Sequence, residues 1–254
     1  FDRGGERGDG CFLAFWLGAT KRLLAMNNSD LAVSRLVVKL GTGILTGRDG
    51  RVDRARIRRI CAEVHALRSR SIQVVIVSSG AVGLGMERLG LRRRPADLAS
   101  VQTCAAVGQS LLINTWQEGF QPYGVTVAQI LLTREDVASR KRHVAVKDVF
   151  EKAFEQGVLP VVNENDSMSA EELRFGDNDI LSALVASLVK AGMLFILSTA
   201  PGLMDLASGK IVPIVDEITP GIVALARGTS SPTAVGGMVT KIDAARIANR
   251  SGCG

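Results

Sequence analysis

The chain is poor in the residues that usually carry covalent and redox chemistry. It has two histidines, His65 and His143. Neither has a Ser, Cys or acidic partner at a spacing that would make a nucleophile and base pair, which disfavours histidine-based nucleophilic catalysis. Its four cysteines, Cys11, Cys61, Cys104 and Cys253, show no metal-ligand spacing and no clustering. They fit a reduced intracellular protein rather than a disulfide framework, and no redox chemistry is indicated. Aromatic residues make up 4% of the chain and include one tyrosine, too few to supply base-stacking platforms. The net charge of +6 therefore does not point to nucleic acid. The groups around Arg54 to Arg59, Arg92 to Arg94 and Arg140 to Arg142 read as solvated helix faces and turns, and their field suits small anionic substrates. Long hydrophobic runs are also missing. The apolar stretch from Cys11 to Leu17 is too short to span a bilayer. It is broken by Lys21-Arg22 with no small-residue cleavage pattern, so neither a membrane span nor a signal peptide is expected. Residues 1–25, rich in Gly and Arg up to Gly10, are set aside as an N-terminal extension that is disordered or not native. One domain is expected over residues 30–254, and a cytoplasmic location.

What the chain does have is a series of apolar runs that end in polar clusters. The clearest is Val158-Leu159-Pro160-Val161-Val162, a buried strand that breaks into Asn163-Glu164-Asn165-Asp166. Ten residues on, Gly176-Asp177-Asn178-Asp179 precedes Ile180, Leu181, Leu184, Leu188 and Val189. Their helical spacing makes the acidic group a candidate N-terminal cap. A strand over 193–197 follows, so the stretch reads as a parallel crossover unit with both acidic clusters on the ligand-binding edge of a sheet. Such clusters suit a small cationic or zwitterionic ligand or a metal; the alternative is a polar turn and a cap.

Other strand tips repeat the pattern. Leu36-Val37-Val38-Lys39-Leu40 runs into Gly41-Thr42-Gly43, where backbone N–H groups and Lys39 could meet phosphate, or Lys39 could be an edge charge. The spacing matches neither the P-loop nor the dinucleotide fingerprint. Ile57, Ile60, Cys61, Val64 and Leu67 share a helix face and lead to a strand over 74–77 that ends in Ser78-Ser79-Gly80-Ala81, with Ser78 either a helix cap or a ligand. A helix over 98–116, a strand over 125–132 and a helix over 140–154 come next. After Ser198-Thr199 follow a short strand over 211–215, a helix over 218–226, and the loop Val235-Gly236-Gly237-Met238-Val239-Thr240-Lys241, which suits a nucleotide lid leading into a last helix.

The strand tips thus offer lysines, glycine turns, hydroxyls and two acidic and amide clusters, but no covalent nucleophile. Phosphoryl transfer needs no protein nucleophile, only anionic reactants held together while charge is neutralised.

From about Leu36 to Asn249 the chain also resembles the amino-acid kinases, and among them the branch whose acceptor is L-glutamate. The motifs are Val38-Lys39-Leu40-Gly41, Val77-Ser78-Ser79-Gly80-Ala81, Val107-Gly108-Gln109-Ser110, Ala128 to Thr133, Asn163 to Asp166, Arg174 to Asp179, and Gly236-Gly237-Met238 with Lys241. The resemblance implies a three-layer α/β/α sandwich with a mainly parallel central sheet. It implies conversion of ATP and L-glutamate to L-glutamyl 5-phosphate and ADP with Mg2+, the first step of proline biosynthesis. Lys39 and Lys241 would stabilise the transferred group, with Asp179 orienting them. Ser79, Asp166 and Asn178 would bind glutamate. Lys39, Ser198, Thr199, Val235, Gly236, Gly237, Met238, Val239, Thr240 and Lys241 would hold ATP, and no side chain is assigned as a metal ligand. Proline as feedback inhibitor, a homo-oligomer, and glutamate-5-semialdehyde dehydrogenase receiving the product are implied partners; nucleic acid and membrane are not. Thr199 stands where many relatives have Asp, and Val235 where they have Thr. By the resemblance, the kinase domain is expected to be truncated at its C-terminus, short of the family's last strand, with no PUA-type domain of the kind many members carry. The alternatives are another acyl-phosphate-forming kinase of the same fold, or a non-catalytic sensor of glutamate or proline.

Overall fold

A computed structural model describes residues 11–26, 33–47, 51–168, 178–227 and 237–254. Five runs rich in Val, Ile and Leu form the central strands: β1 (Arg35–Leu40), β2 (Gln73–Ser78), β3 (Val127–Leu132), β4 (Leu159–Glu164) and β5 (Met193–Leu197). They pair in parallel in the order β3-β4-β2-β1-β5. A parallel sheet needs helical crossovers on its faces, and the near-continuous apolar character of β1, β2 and β4 is what burial on both faces demands. Alternation along each strand sorts the side chains into two cores. Leu36, Val38, Leu40, Val74, Ile76, Leu159 and Val161 enter one, and Val37, Val75, Val77 and Val162 the other. By the same period Lys39 falls on the second face, at the carboxyl end of a strand that is otherwise apolar.

The helices are α1 (Cys11–Ala25), α2 (Thr42–Leu45), α3 (Arg54–Arg68), α4 (Ala81–Arg88), α5 (Leu98–Phe120), α6 (Arg134–Ala138), α7 (Arg140–Glu155), α8 (Asn178–Leu188), α9 (Pro220–Arg227) and α10 (Met238–Arg250). On the first face α3 buries Ile57, Ile60, Cys61, Val64 and Leu67, and α5 buries Leu112, Trp116 and Phe120. On the second face Phe150 of α7, Leu181, Val185 and Leu188 of α8, and Ala244 and Ala248 of α10 close the core. The result is the three-layer sandwich that the resemblance implies. Asp53 and Asp97 start α3 and α5 by accepting from the backbone N–H of Arg56 (2.9 Å) and Ser100 (2.8 Å). A small hairpin, β6 (Met204–Asp205) and β7 (Lys210–Ile211), packs beside α9 and α10 around Leu203, Ala226 and Ile242.

One helix crossing fixes the site's geometry. A Cβ on Gly108 of α5 would lie 1.8 Å from the Ala81 carbonyl oxygen, and one on Gly85 of α4 would lie 1.8 Å from that of Cys104. The two backbones touch directly, so the turn that opens α4 and the middle of α5 are held in fixed register.

Three sequence expectations change. Residues 11–25, set outside the fold on sequence grounds, form α1. Its Trp16 is fully buried against the first core and meets Phe195 edge-on at 5.4 Å. Thr20 donates to Glu63 Oε2 (2.7 Å), and the Arg70 guanidinium takes up the carbonyls of Leu23, Leu24 and Met26 at the helix end. An apolar run too short for a membrane was long enough to cover a core. Second, β4 does not stop at Val162: Asn163 and Glu164 remain in the strand, paired with Leu131 and Leu132. Its pairing with β2 starts only after Pro160, which has no N–H to give. Third, the expected strand over 211–215 is only Lys210–Ile211. The crossover from β4 through α8 to β5 joins parallel strands, as expected, and passes over β2 and β1.

Candidate active site

The carboxyl ends of β1, β2, β4 and β5 meet at one edge. Backbone bonds tie the tips together: Gly41 N–H donates to the Leu197 carbonyl (3.1 Å), and Ser79 N–H to that of Leu40 (3.1 Å). Gly80 has φ 109, the left-handed region a side chain rarely adopts, and serves as N-cap of α4 without a side-chain bond. Ser78 is therefore not the cap. It is buried in the strand, and its Oγ accepts from Trp116 Nε1 (3.0 Å).

Asp179, in the first turn of α8, is the centre of the charge arrangement. It is wholly buried and receives Lys39 Nζ on Oδ1 (2.5 Å) and Lys241 Nζ on Oδ2 (2.9 Å). Thr240 Oγ1 lies 3.4 Å from Oδ2 and donates also to the Gly237 carbonyl (2.8 Å). Burial pushes the Asp179 carboxyl up. The charges of Lys39 and Lys241 and their hydrogen bonds outweigh that and hold it below the ordinary carboxylate range. Two ammonium groups, one from β1 and one from α10, thus converge on a single buried carboxylate at the strand tips.

Beside it lies an amide cluster. Asn178 Nδ2 donates to Ser79 Oγ (2.8 Å) and to Asn163 Oδ1 (2.9 Å). Asn163 Oδ1 also accepts from the backbone N–H of Glu164 (2.9 Å), and Asn163 Nδ2 donates to Gln109 Oε1 (2.9 Å). Asn178 Oδ1 is buried and has no hydrogen-bond partner among the described residues. Next to the cluster is a cavity of about 280 Å³ whose lining includes Gln109, Ser110, Gln129, Glu164 and Asp166. A buried acceptor beside a polar cavity fits a ligand with a donor group.

The structure thus joins Lys39, Asp179, Lys241 and Thr240 in one ion cluster, joins Ser79 and Asn178 in one hydrogen-bond cluster, and puts Asp166 on the cavity wall. Ser198 and Thr199 follow β5 at the neighbouring tip, where Ser198 Oγ accepts from Ala200 N–H (3.2 Å). A Cβ on Gly43 would lie 2.8 Å from Thr199 Cγ2, so Thr199 packs against the glycine turn after β1. Gly237 is the N-cap of α10, while Met238 and Val239 pack against the Leu203, Ala226 and Ile242 cluster. Val235, Gly236 and the motif residues Arg174 to Asp177 lie outside the described residues. His65 is stacked on Tyr123 (4.5 Å between centroids), and burial pushes the Cys61 thiol up to about 12 and that of Cys253 to about 11. Among the described residues no group of three or more His, Cys, Asp and Glu could hold a metal ion.

Sequence reasoning took Asn163 only as part of the Asn163 to Asp166 cluster and Gln109 only as part of a motif, with no individual role for either. Gln109 had a signal: a polar side chain next to a glycine on a helix whose neighbouring positions are small or apolar.

Comparison with known proteins agrees with this geometry. The amino acid kinase family profile matches residues 34–253. The glutamate 5-kinase of Moorella thermoacetica is 46% identical over 223 residues, covering 86% of this chain and 59% of that protein. The glutamate 5-kinase of Clostridium acetobutylicum is 43% identical over 225 residues, covering 87% of this chain and 84% of that protein. The chain spans about three-fifths of the length of the Moorella relative. A carbamate kinase from Giardia lamblia solved with AMP-PNP shares the fold, with a TM-score of 0.54 at 17% identity over 87% of this chain and 90% of that one.

Proposed function

Because this chain belongs to the amino acid kinase family, we propose that it transfers the γ-phosphoryl group of ATP to the 5-carboxylate of L-glutamate. The products are L-glutamyl 5-phosphate and ADP, in the first step of proline biosynthesis. The observation that carries the reading is the pair of lysines, from β1 and α10, held on one buried carboxylate beside a polar cavity.

The acceptor carboxylate is itself the nucleophile, which suits a site without a covalent one. The phosphoryl group passes through a loose transition state with charge spread over its oxygens, so the protein's task is positioning and charge stabilisation. Lys39 and Lys241 are suited to that task because Asp179 fixes both ammonium groups before substrate arrives. Ser79, Asn178 and Asp166 hold glutamate, with Asp166 and Asn178 Oδ1 meeting its ammonium. Gly237 to Lys241, Ser198 and Thr199 take the nucleotide, with Val235 and Gly236 completing the loop. Mg2+ brought with ATP would offset the charge of its phosphates, and no side chain is assigned to hold it. Thr199, against the glycine turn, alters the adenine and ribose side while the lysine pair is kept.

The reading also carries proline as a feedback inhibitor, a homo-oligomer and a cytoplasmic location. Because an acyl phosphate hydrolyses readily, it also carries hand-over to glutamate-5-semialdehyde dehydrogenase. Among the described residues no helix is long and apolar enough to cross a membrane. A coupled ADP-release assay with Mg2+ tests the proposal, screening L-glutamate against N-acetylglutamate, aspartate and carbamate, with and without proline. Glutamate-dependent release is the expected result. Release no faster than without acceptor, or preference for another acceptor, refutes it.

A further inference from the structure

An amide's oxygen and nitrogen are alike in outline, so its polarity must come from its partners. Here one backbone group decides the matter. Glu164 N–H can only donate, and it is directed at Asn163 Oδ1 (2.9 Å). Asn163 Nδ2 is therefore the donor toward Gln109, which must present Oε1 (2.9 Å). By the same logic the second bond to Asn163 Oδ1 comes from Asn178 Nδ2 (2.9 Å), whose other hydrogen goes to Ser79 Oγ (2.8 Å). Three amides are locked head to tail, and each end shows the group that is left. Gln109 has Nε2, a donor, on the wall of the 280 Å³ cavity. Asn178 has Oδ1, a buried acceptor with no partner among the described residues.

A donor left over at one end and an acceptor at the other suit a ligand that carries both a carboxylate and an ammonium group. We infer that Gln109, Asn163 and Asn178 form a polarity relay that selects a zwitterionic amino acid, with Gln109 Nε2 donating to the carboxylate that is not phosphorylated. This rests on the kinase reading and adds the group that recognises the far end of the acceptor. Gln109 lines the cavity, whereas Lys39, Lys241 and Asn178 do not, so the reacting carboxylate belongs with the lysines, the ammonium with Asn178 between them and the cavity, and the carboxylate that is not phosphorylated enters the cavity. Glu164 and Asp166 line the same cavity, and a neutral donor such as Gln109 Nε2 is a group that can meet a carboxylate beside them. Asn163 acts through the other two as a positioning residue; Gln109 touches the ligand.

The test is titration calorimetry of L-glutamate, without ATP, on the wild type and on Gln109→Met and the isosteric Gln109→Glu. Thermal unfolding serves to check that each is folded; Gln109→Glu carries the test if the Met variant is not. The expected loss of glutamate affinity in Gln109→Met is about 10- to 100-fold, the range for a hydrogen bond to a charged group, with a larger loss in Gln109→Glu. Binding of 4-aminobutanoate, which keeps the amine and the reacting carboxylate but lacks the other, is unchanged. In turnover, KM for glutamate rises while kcat and KM for ATP stay within about twofold. Equal weakening of both ligands would mark a merely structural role and overturn the relay, as would unchanged glutamate affinity. A wild type that does not bind L-glutamate also overturns it. If glutamate binds in this Gln109-dependent way without ADP release, the relay stands and the kinase reading falls; ADP release with an unchanged KM in Gln109→Met gives the reverse.

Discussion

Replacing Asp179 with Asn removes one charge and almost no volume, so its effect isolates the electrostatics of the site. In the wild type the carboxylate is completely buried and accepts from two ammonium groups whose side chains are only 5% and 17% exposed. An amide can accept from one of them on its oxygen, but its NH2 then faces the other. Leaving a buried charge without its partner costs about 3–5 kcal/mol. For a domain of this size that corresponds to a fall in melting temperature of roughly 6–20 °C. ATP should recover part of the loss, because phosphate supplies the anion the lysines have lost, so the thermal shift on adding nucleotide is larger in the variant than in the wild type. Turnover, which depends on the lysines being aimed before reaction, should fall by about 10²–10³. The acid limb provides a second readout. A carboxyl whose folded pKa is lowered contributes stability that is fully present above its unfolded value, about 3.9, and is lost as the pH falls through the lower folded value. Asp179→Asn should therefore flatten the wild type's loss of stability below about pH 4, in the window set by the downward shift. Differential scanning calorimetry between pH 3 and 7 measures both effects. A variant that melts within a degree of the wild type, shows the same acid limb and keeps its turnover would refute the assignment of Asp179 as the common anchor.

Lys39→Ala and Lys241→Ala should each lower turnover by about 10²–10³ while the chain stays folded, with Lys39→Ala the more destabilising because its side chain is the more buried; activity surviving both changes rejects the roles. Gly108→Ala should prevent native packing, since its Cβ would overlap the Ala81 carbonyl, whereas Gly83→Ala, whose Cβ comes no nearer than 4.0 Å to Thr42 Cγ2, should be neutral or stabilising by up to about 1 kcal/mol. Paired thermal unfolding curves decide between them, and equal effects would reject the close crossing of α4 and α5. Trp16→Ala should cost about 3–5 kcal/mol in urea unfolding, and an effect below about 0.5 kcal/mol would mean that α1 does not pack against the sheet.

The sheet was legible because its strands are compositionally simple. Leu36 to Leu40, Val74 to Val77 and Met193 to Leu197 are bounded by turn residues, and a doubly covered parallel strand has little freedom to be anything else. Helices with one apolar stripe, such as α3 with Ile57, Ile60, Val64 and Leu67, were equally plain. The misreadings have physical causes. Cys11 to Leu17 carries no signal for where it docks, and the burial of Trp16 against Phe195 is visible only once β5 has its neighbours. Asn163 and Glu164 looked like a turn because polar residues usually leave a strand, but parallel pairing with β3 holds them in it. At the site, residue types singled out Lys39, Asp179 and Lys241 separately, as a strand-tip charge, part of an acidic cluster and part of a lid, and the resemblance alone joined them in one role. No local pattern shows that residues 39, 179 and 241 share one point. Gln109 was hidden for the same reason: its significance lies in which atom of Asn163 it meets.

That shared point also bears on when, during synthesis, the chain acquires its charge cluster. Lys241 follows Asp179 by 62 residues, an interval of roughly 3–12 s at ordinary translation speeds. Throughout it the nascent chain can join Asp179 to Lys39 but not to Lys241, and α8 lacks the helix that packs beside it. The second lysine arrives with α10, so one helix both closes the second core and completes the cluster. A ribosome-bound chain stalled before α10 would be expected to carry most of the sheet and a site in which Asp179 meets one of its two lysines.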